Sequence, residues 1–276
     1  MSSQSQKIAV NGVAGRMGRQ LLQAIAEQPL AQIAAAVDRP DTPAVGVDVQ
    51  VLCSEVATGV TVVDSVQSVS GSFDTIIDFS APSASIELLN RLMGSGASVV
   101  IGTTGFDSSQ LAQIDEASKM LPIVFAPNYS IGVTLTLSLL AQAASALGDD
   151  YDVEVIEAHH HHKVDAPSGT ALKMGEVVAD ALGRKLDECA VYAREGITGA
   201  RDPKSIGFAT IRAGDIIGEH TVLFAGNGER IEITHKANDR ATFARGAVRA
   251  ALWLSDQPAG LYDMTHVLGL KPTGAN

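Results

Sequence analysis

The sequence predicts an α/β protein whose first half is a doubly wound parallel sheet and whose second half is a smaller α+β domain. Three observations lead there. Short apolar runs alternate with helical patterns from residue 7 to about residue 126, the rhythm of repeated strand–helix units. A turn reading Gly12-Val13-Ala14-Gly15-Arg16-Met17-Gly18 joins the first run to the first helix, the setting of a Rossmann-type dinucleotide fingerprint. Beyond residue 150 apolar and polar positions alternate, as in Glu232-Ile233-Thr234-His235, which suits half-exposed strands of an antiparallel or mixed sheet.

After a frayed start, MSSQSQ, residues 7–11 read as a buried strand. The helix after the glycine turn places Met17, Leu21, Leu22 and Ile25 on one face and ends near Gln28-Pro29. The turn's spacing is GxxGxxG, with Ala14 where the commoner form has its middle glycine. Gly12 permits the tight turn, Gly15 lets backbone approach a pyrophosphate, and Gly18 lets the helix pack on the sheet. Arg16 is a further candidate for phosphate. Glycine turns also serve plain strand–helix packing, so the next strand matters. Residues 32–37 are apolar and end in Asp38-Arg39, about where a ribose-reading acid is expected. Asp38 would accept from a 2′-hydroxyl and Arg39 would pair with a 2′-phosphate, so the pair suits NADH, NADPH or both.

Residues 41–72 are loop-like, with a short strand expected at 59–63. Strands follow at 74–79, 98–101 and 123–126, and helices begin near Pro82 and at 107–120. Gly102-Thr103-Thr104 and Ala126-Pro127-Asn128-Tyr129 close two of these strands, at the carboxyl ends where open α/β sheets bind ligands. A mostly apolar helix at 131–148 leads the chain out of this domain. Later strands are expected at 190–193, 205–213, 219–225 and 229–236, with a polar, mobile loop at 195–204. A last long helix should run from Arg240 to Ser255 and pack through Phe243, Val248, Leu252 and Trp253.

The 276 residues carry 31 acidic and 20 basic side chains, a net charge of −11. That balance argues against nucleic acid or an anionic membrane as partner. Any anionic ligand has to be captured by local groups. Cys53 and Cys189 have no metal-like spacing and fit a reducing compartment. The N-terminus has no signal-peptide core, and no apolar run looks long enough to span a bilayer, so a cytoplasmic protein is expected.

The stretch with the most chemistry is 157–172, EAHHHHKVDAPSGTAL. A strand-like run ends in four histidines, and a helix opens after Ser168, a natural N-cap. With Ala171 at N3 there is no capping box, so first-turn amides and the helix dipole remain available to an anion. Lys163 and the histidines lie just upstream. Cationic and proton-donating groups therefore converge where a small dicarboxylate would fit. An affinity tag is a poor reading, because the run is internal and flanked by regular structure. A metal site and a purely structural loop remain competing readings, although no cysteine or HExxH spacing completes a ligand set.

The same stretch meets every fixed position of E-x-H-H-x-x-K-x-D-x-P-S-G-T-A and resembles the signature of the 4-hydroxy-tetrahydrodipicolinate reductase (dihydrodipicolinate reductase) family. The resemblance extends from the GxxGxxG turn through IGFATIRAGDIIGEHTV and ITHKANDR to GAVRAALWL. It implies reduction of the imine derived from 4-hydroxy-tetrahydrodipicolinate, with NADH and/or NADPH, in lysine and diaminopimelate biosynthesis. It implies His159 as proton donor, Lys163 as the second catalytic residue, and His160, Ser168, Gly169 and Thr170 as substrate-binding residues. Gly12, Ala14, Gly15, Arg16, Met17, Gly18, Asp38 and Arg39 would hold the cofactor. Gly102, Thr103, Thr104, Ala126, Asn128 and Tyr129 match positions at its nicotinamide half. Tyr129 stands where phenylalanine is common, and Thr134 where asparagine is common. His161 and His162 receive no role, Asp165 would orient Lys163 or the loop, and no metal is implied. The resemblance also implies a homotetramer assembled through the second domain. The C-terminal segment would return to the first, giving domains 1–130 completed by 241–276, and 131–240. Two other classes compete: a different two-domain reductase, which would need a nucleophilic cysteine or another Lys-His motif, and a non-catalytic nucleotide-sensing or metal-binding protein that keeps the fold.

Overall fold

The computed structural model describes residues 5–56, 59–239 and 241–271. Residues 1–4 of the expected frayed start, and Arg240, expected to open the last long helix, lie outside the described residues. The chain runs β1 (Gln6–Asn11), α1 (Arg16–Ala26), β2 (Ala31–Val37), α2 (Val49–Leu52), β3 (Val62–Val63), β4 (Thr75–Asp78), α3 (Pro82–Leu92), β5 (Ser98–Ile101), α4 (Ser108–Ser118), β6 (Pro122–Phe125) and α5 (Ile131–Leu147). It continues with β7 (Asp152–His159), α6 (Gly169–Ala181), α7 (Leu186–Cys189), β8 (Ala190–Val191), β9 (Ile206–Arg212), β10 (Gly218–Ala225), β11 (Arg230–Ala237), α8 (Ala241–Leu254), β12 (Gly260–Tyr262) and α9 (Met264–Val267). Two compact units result, one from 1–131 with 241–276 and the other from 132–240.

The first unit is built on a parallel sheet of order β12-β6-β5-β4-β1-β2-β3. Its central strands are buried on both faces, so successive residues feed opposite cores. Ile8, Val10, Ile77, Val100 and Val124 face one core; Ala9, Ile76, Val99, Ile101 and Ile123 face the other. Helix α1 gives Leu21, Leu22 and Ile25 to the first core, and α3 gives Ile86, Leu88, Leu89 and Leu92 to the second. Each such fully buried side chain contributes about 1.5–3 kcal/mol. Strand order reverses between β1 and β4, the switch point at which ligands bind in open α/β sheets.

The C-terminal segment adds more than its sequence suggested. Helix α8 packs through Ala244, Ala247, Val248, Ala250, Ala251 and Leu254, while Leu252 and Trp253 are only partly buried. Val248, Leu252 and Trp253 pack as expected, and small residues join them because the helix lies close to the sheet. A Cβ on Gly246 would sit 1.8 Å from the Tyr129 carbonyl oxygen. Strand β12 was not foreseen either; it is three residues long and extends the sheet beyond β6.

The second unit is a mixed sheet of order β11-β10-β7-β9-β8, packed on one face by α6. The expected strand at 190–193 shrinks to Ala190–Val191. The loop 195–204, expected to be mobile, is pinned at one point. Arg201 donates to Asp152 Oδ1 at 2.7 Å, Glu154 Oε1 at 3.0 Å and the Ser205 carbonyl at 2.7 Å. Helix α5 also corrects an expectation. With the turn after it, residues 131–150 are long and apolar enough to cross a bilayer by length and composition, with mean hydropathy 1.5. Here the helix gives Leu140 and Ala144 to the core of the second unit.

Candidate active site

The first unit holds a cavity of about 720 Å³ at its switch point. Gly12, Ala14, Gly15, Asp38 and Arg39 line one part, and Ser80, Ala81, Leu88 and Arg91 another. Gly12 has φ +74°, a left-handed conformation that glycine adopts without strain. A Cβ on Gly18 would lie 2.4 Å from the Gly12 carbonyl oxygen, so only glycine lets α1 start this close to the turn. Helix α1 has a glycine N-cap, no side-chain cap and no acidic residue in its first turn. The amides of Arg16 and Met17 thus meet no carboxylate there, and the turn fits a pyrophosphate.

Other expected cofactor residues have side chains with structural work. Asp38 Oδ2 accepts from the Ala14 amide at 2.7 Å, which ties β2 to the glycine turn. Arg39 forms an exposed pair with Asp41 at 3.1 Å. The Thr103 hydroxyl accepts from the Ser80 amide at 2.9 Å and donates to the buried Asp78 carboxylate at 3.2 Å. Gly102 is pressed against Phe79; a Cβ would meet that ring at 2.1 Å. Tyr129 is buried, with its hydroxyl donating to the Ile101 carbonyl at 2.8 Å. Burial pushes its phenol well above the ordinary value. Asn128 Oδ1 accepts from the Ser130 amide at 2.8 Å, and Ala126 is buried. The Thr103 and Tyr129 side chains are thus engaged within the protein. Thr104 is exposed beside them.

In the second unit, one sheet face changes character along its length. Val153 and Val155 on β7 pair with Ile206 and Phe208 on β9 and with Phe224 and Val222 on β10, all apolar. Two and four residues on, the same face carries Glu157 and His159, with Arg212 opposite His159 and His220 opposite Glu157. Period-two alternation sets this face. The N-terminus of α6 lies at its polar end, where the Ser168 amide donates to Glu157 Oε1 at 3.0 Å. Ser168 caps the helix by accepting from the Ala171 amide at 3.2 Å, and its Oγ lies 2.9 Å from His220 Nε2. The amides of Gly169 and Thr170 have no partner among the described residues.

His159 Nδ1 lies 2.6 Å from Glu157 Oε2, and its ring is 5.1 Å from that of His220 at 74°. Burial, followed by the charges of His159, His235 and Lys163, lowers the pKa of His220 to about 4. His220 is therefore neutral near pH 7. Lys163 donates to Asp165 Oδ1 at 2.7 Å, the orienting contact anticipated for Asp165, and Lys163 in turn holds that carboxyl below its usual range. His161 Nδ1 lies 2.8 Å from the Gly214 carbonyl. Among the described residues, no group of three or more His, Cys, Asp or Glu side chains is placed to hold a metal ion. Glu157, Arg212 and His220 escaped the sequence reading; only the E-x-H spacing on a strand pointed to Glu157.

Two family models cover nearly the whole chain: "Dihydrodipicolinate reductase, N-terminus" matches residues 6–129 and "Dihydrodipicolinate reductase, C-terminus" matches 132–268. The chain belongs to the dihydrodipicolinate reductase family. The 4-hydroxy-tetrahydrodipicolinate reductase of Hahella chejuensis (strain KCTC 2396) is 57% identical over 265 residues, covering 96% of this reductase and 99% of the relative. The dipicolinate-bound dihydrodipicolinate reductase from Paenisporosarcina sp. TG-14 shares the fold, with a TM-score of 0.75 at 23% identity over 94% of this chain and 97% of that one. An amine dehydrogenase from Mycobacterium smegmatis shares it more distantly, with a TM-score of 0.56 at 16% identity over 93% of this chain and 94% of the other. The reductase thus joins a dinucleotide-type first unit to a second unit with a buried acid–histidine cluster.

Proposed function

We infer that the chain reduces the imine derived from 4-hydroxy-tetrahydrodipicolinate to tetrahydrodipicolinate, the reductase step of lysine and diaminopimelate biosynthesis. Residues 1–130, completed by 241–276, bind NADH or NADPH, and 131–240 bind the substrate. The bound reduced nicotinamide supplies a hydride; the protein's own residues hold the dicarboxylate and deliver a proton. His159 is the proton donor to the carbanion-like position created by hydride addition, because imidazole gives and recovers a proton near neutral pH. Lys163 pairs with a substrate carboxylate and favours movement of electrons toward the ring nitrogen. His160 and the Ser168-Gly169-Thr170 turn complete the anion cradle. The observation that carries this reading is the pair of open amides at Gly169 and Thr170, on an α6 start packed against the His159 cluster.

A reductase working through a nucleophilic cysteine is disfavoured by Cys189, whose thiol is pushed up by burial. The Paenisporosarcina enzyme is described with dipicolinate bound, so a planar aromatic dicarboxylate is the natural inhibitor to try on this chain. The sheet face opposite α6 bears Ile156, Ala209, Ile211, Thr221 and Leu223, and we assign it to assembly of a homotetramer in the cytoplasm. Enzymatically generated substrate should cause loss of absorbance at the reduced-nicotinamide band. No substrate-dependent loss with either cofactor would refute the function.

A further inference from the structure

Glu157 has both carboxylate oxygens fully engaged. Its side chain is 1% exposed. Oε1 accepts from the Ser168 amide at 3.0 Å and from Arg212 Nη2 at 2.8 Å. Oε2 meets His159 Nδ1 at 2.6 Å and accepts from Arg212 Nη1 at 2.8 Å. An ionised carboxylate has about four acceptor positions, and all are filled. Burial alone would raise its pKa, but Arg212, His159 and the Ser168 amide together hold it below the ordinary value. Arg212 is fixed in turn by the Asp165 carbonyl at 2.6 Å and the Ile211 carbonyl at 2.7 Å.

A carboxylate in that state can only accept, so Nδ1 of His159 must be the protonated nitrogen. Nε2, the other ring nitrogen, makes no hydrogen bond among the described residues. It points toward Gly218, where a Cβ would stand only 3.1 Å away. Titratable groups on the packed elements include His220 on β10, His235 opposite it on β11, and the Lys163–Asp165 pair. His220 stays neutral near pH 7 and contributes no competing charge.

We propose that Glu157 is a positioning residue for the reduction: by holding the Nδ1 proton of His159 in a fixed hydrogen bond, it confines the transferable proton to Nε2. The inference rests on His159 being the proton donor. In the step itself the Nε2–H bond of the imidazolium breaks and its electron pair stays on nitrogen. The proton forms a C–H bond with the electron pair that hydride addition left on the substrate. His159 is left neutral with Nδ1 still protonated, and solvent returns the Nε2 proton. Glu157 keeps its four hydrogen bonds throughout and takes no proton. His159 is buried, and a glycine at 218 keeps a side chain from crowding Nε2.

The test is a nitrogen-15 NMR measurement of the histidine rings in the full-length protein, alongside kinetics of Glu157→Gln and His159→Gln. Neutral His159 should show a protonated Nδ1 and an unprotonated Nε2 in the wild type. Glu157→Gln should scramble the tautomer and cut kcat on the order of a hundredfold or more, with the cofactor KM changed by less than about twofold. A wild-type His159 protonated on Nε2 overturns the proposal even if the variant does not fold. A folded Glu157→Gln enzyme with wild-type kcat overturns it too. Should His159→Gln keep its turnover, the donor assignment itself fails, whatever the tautomer.

Discussion

Lys163 and Arg39 are cations in similar local pairs, yet the two pairs differ in consequence. The side chain of Lys163 is 20% exposed, and Asp165 holds it 2.7 Å away at the edge of the proposed anion cradle. Lys163→Ala should weaken a planar aromatic dicarboxylate inhibitor by about 1.5–3 kcal/mol, the range for hydrogen bonds to charged groups. An inhibition constant that does not move would place the carboxylate site elsewhere. Arg39 and Asp41 are 76% and 74% exposed, and such a pair is worth about 0–1 kcal/mol, so the guanidinium is free to move onto a 2′-phosphate. Arg39→Ala should raise the KM for NADPH about tenfold, a loss of ~1.4 kcal/mol, and leave NADH nearly unchanged. Equal losses with both cofactors would show a structural role. Asp38, expected to accept from a 2′-hydroxyl, also has a structural contact in the glycine turn. Because it anchors the Ala14 amide, Asp38→Ala should raise the KM for both cofactors, and selective damage to NADH would contradict that anchoring.

Helix α6 and strand β7 show how an element sets chemistry and where a sequence stops being readable. The strand's period was visible in YDVEVIEA and the helix start in Ser168, so these pieces of the cluster could be placed from local pattern alone. Arg212 and His220 could not, because their position depends on register with β9 and β10, 55 and 63 residues further along the chain. Short β12 and the two-residue β3 lack enough residues to show a period, and the alanine face of α8 carries no large apolar signal. The glycine turn was legible because its requirement is local: no other residue fits Gly18 against Gly12. The same register gives β10 a pH-sensitive member. His220 titrates at 6.5 when unperturbed and at about 4 when folded, so between those values the unfolded chain binds the extra proton. Stability from this residue is complete above about pH 6.5 and is lost as pH falls toward 4, by about 3 kcal/mol at most. His220→Gln should flatten the fall of melting temperature across that window. A variant that tracks the wild type at every pH would assign the acid sensitivity to other groups.

For the molecule as a whole, the half-exposed sheet face bearing Ile156, Ile211 and Leu223 is the surface proposed for assembly, and Ile211 is 47% exposed. Sedimentation should give about four times the 28.7 kDa chain mass, and Ile211→Glu should lower it without loss of secondary structure. A wild-type monomer would remove the assignment. The chain's route through its two units has another consequence, for the order in which it can fold during synthesis. The first unit is made from both ends of the sequence, and α8 shares one core with Leu21, Leu22 and Ile25 of α1. The ribosome therefore releases everything the second unit needs by residue 240, while the older N-terminal sheet still lacks α8 and β12. A nascent chain arrested with residue 240 just outside the exit tunnel should resist protease across 132–240 and be cut within 6–131. Protection of 6–131 at that length would show that the sheet closes without its last helix. If 132–240 binds the substrate and the first unit the cofactor, as proposed, the substrate-binding part comes off the ribosome first and cofactor binding waits for the final segment.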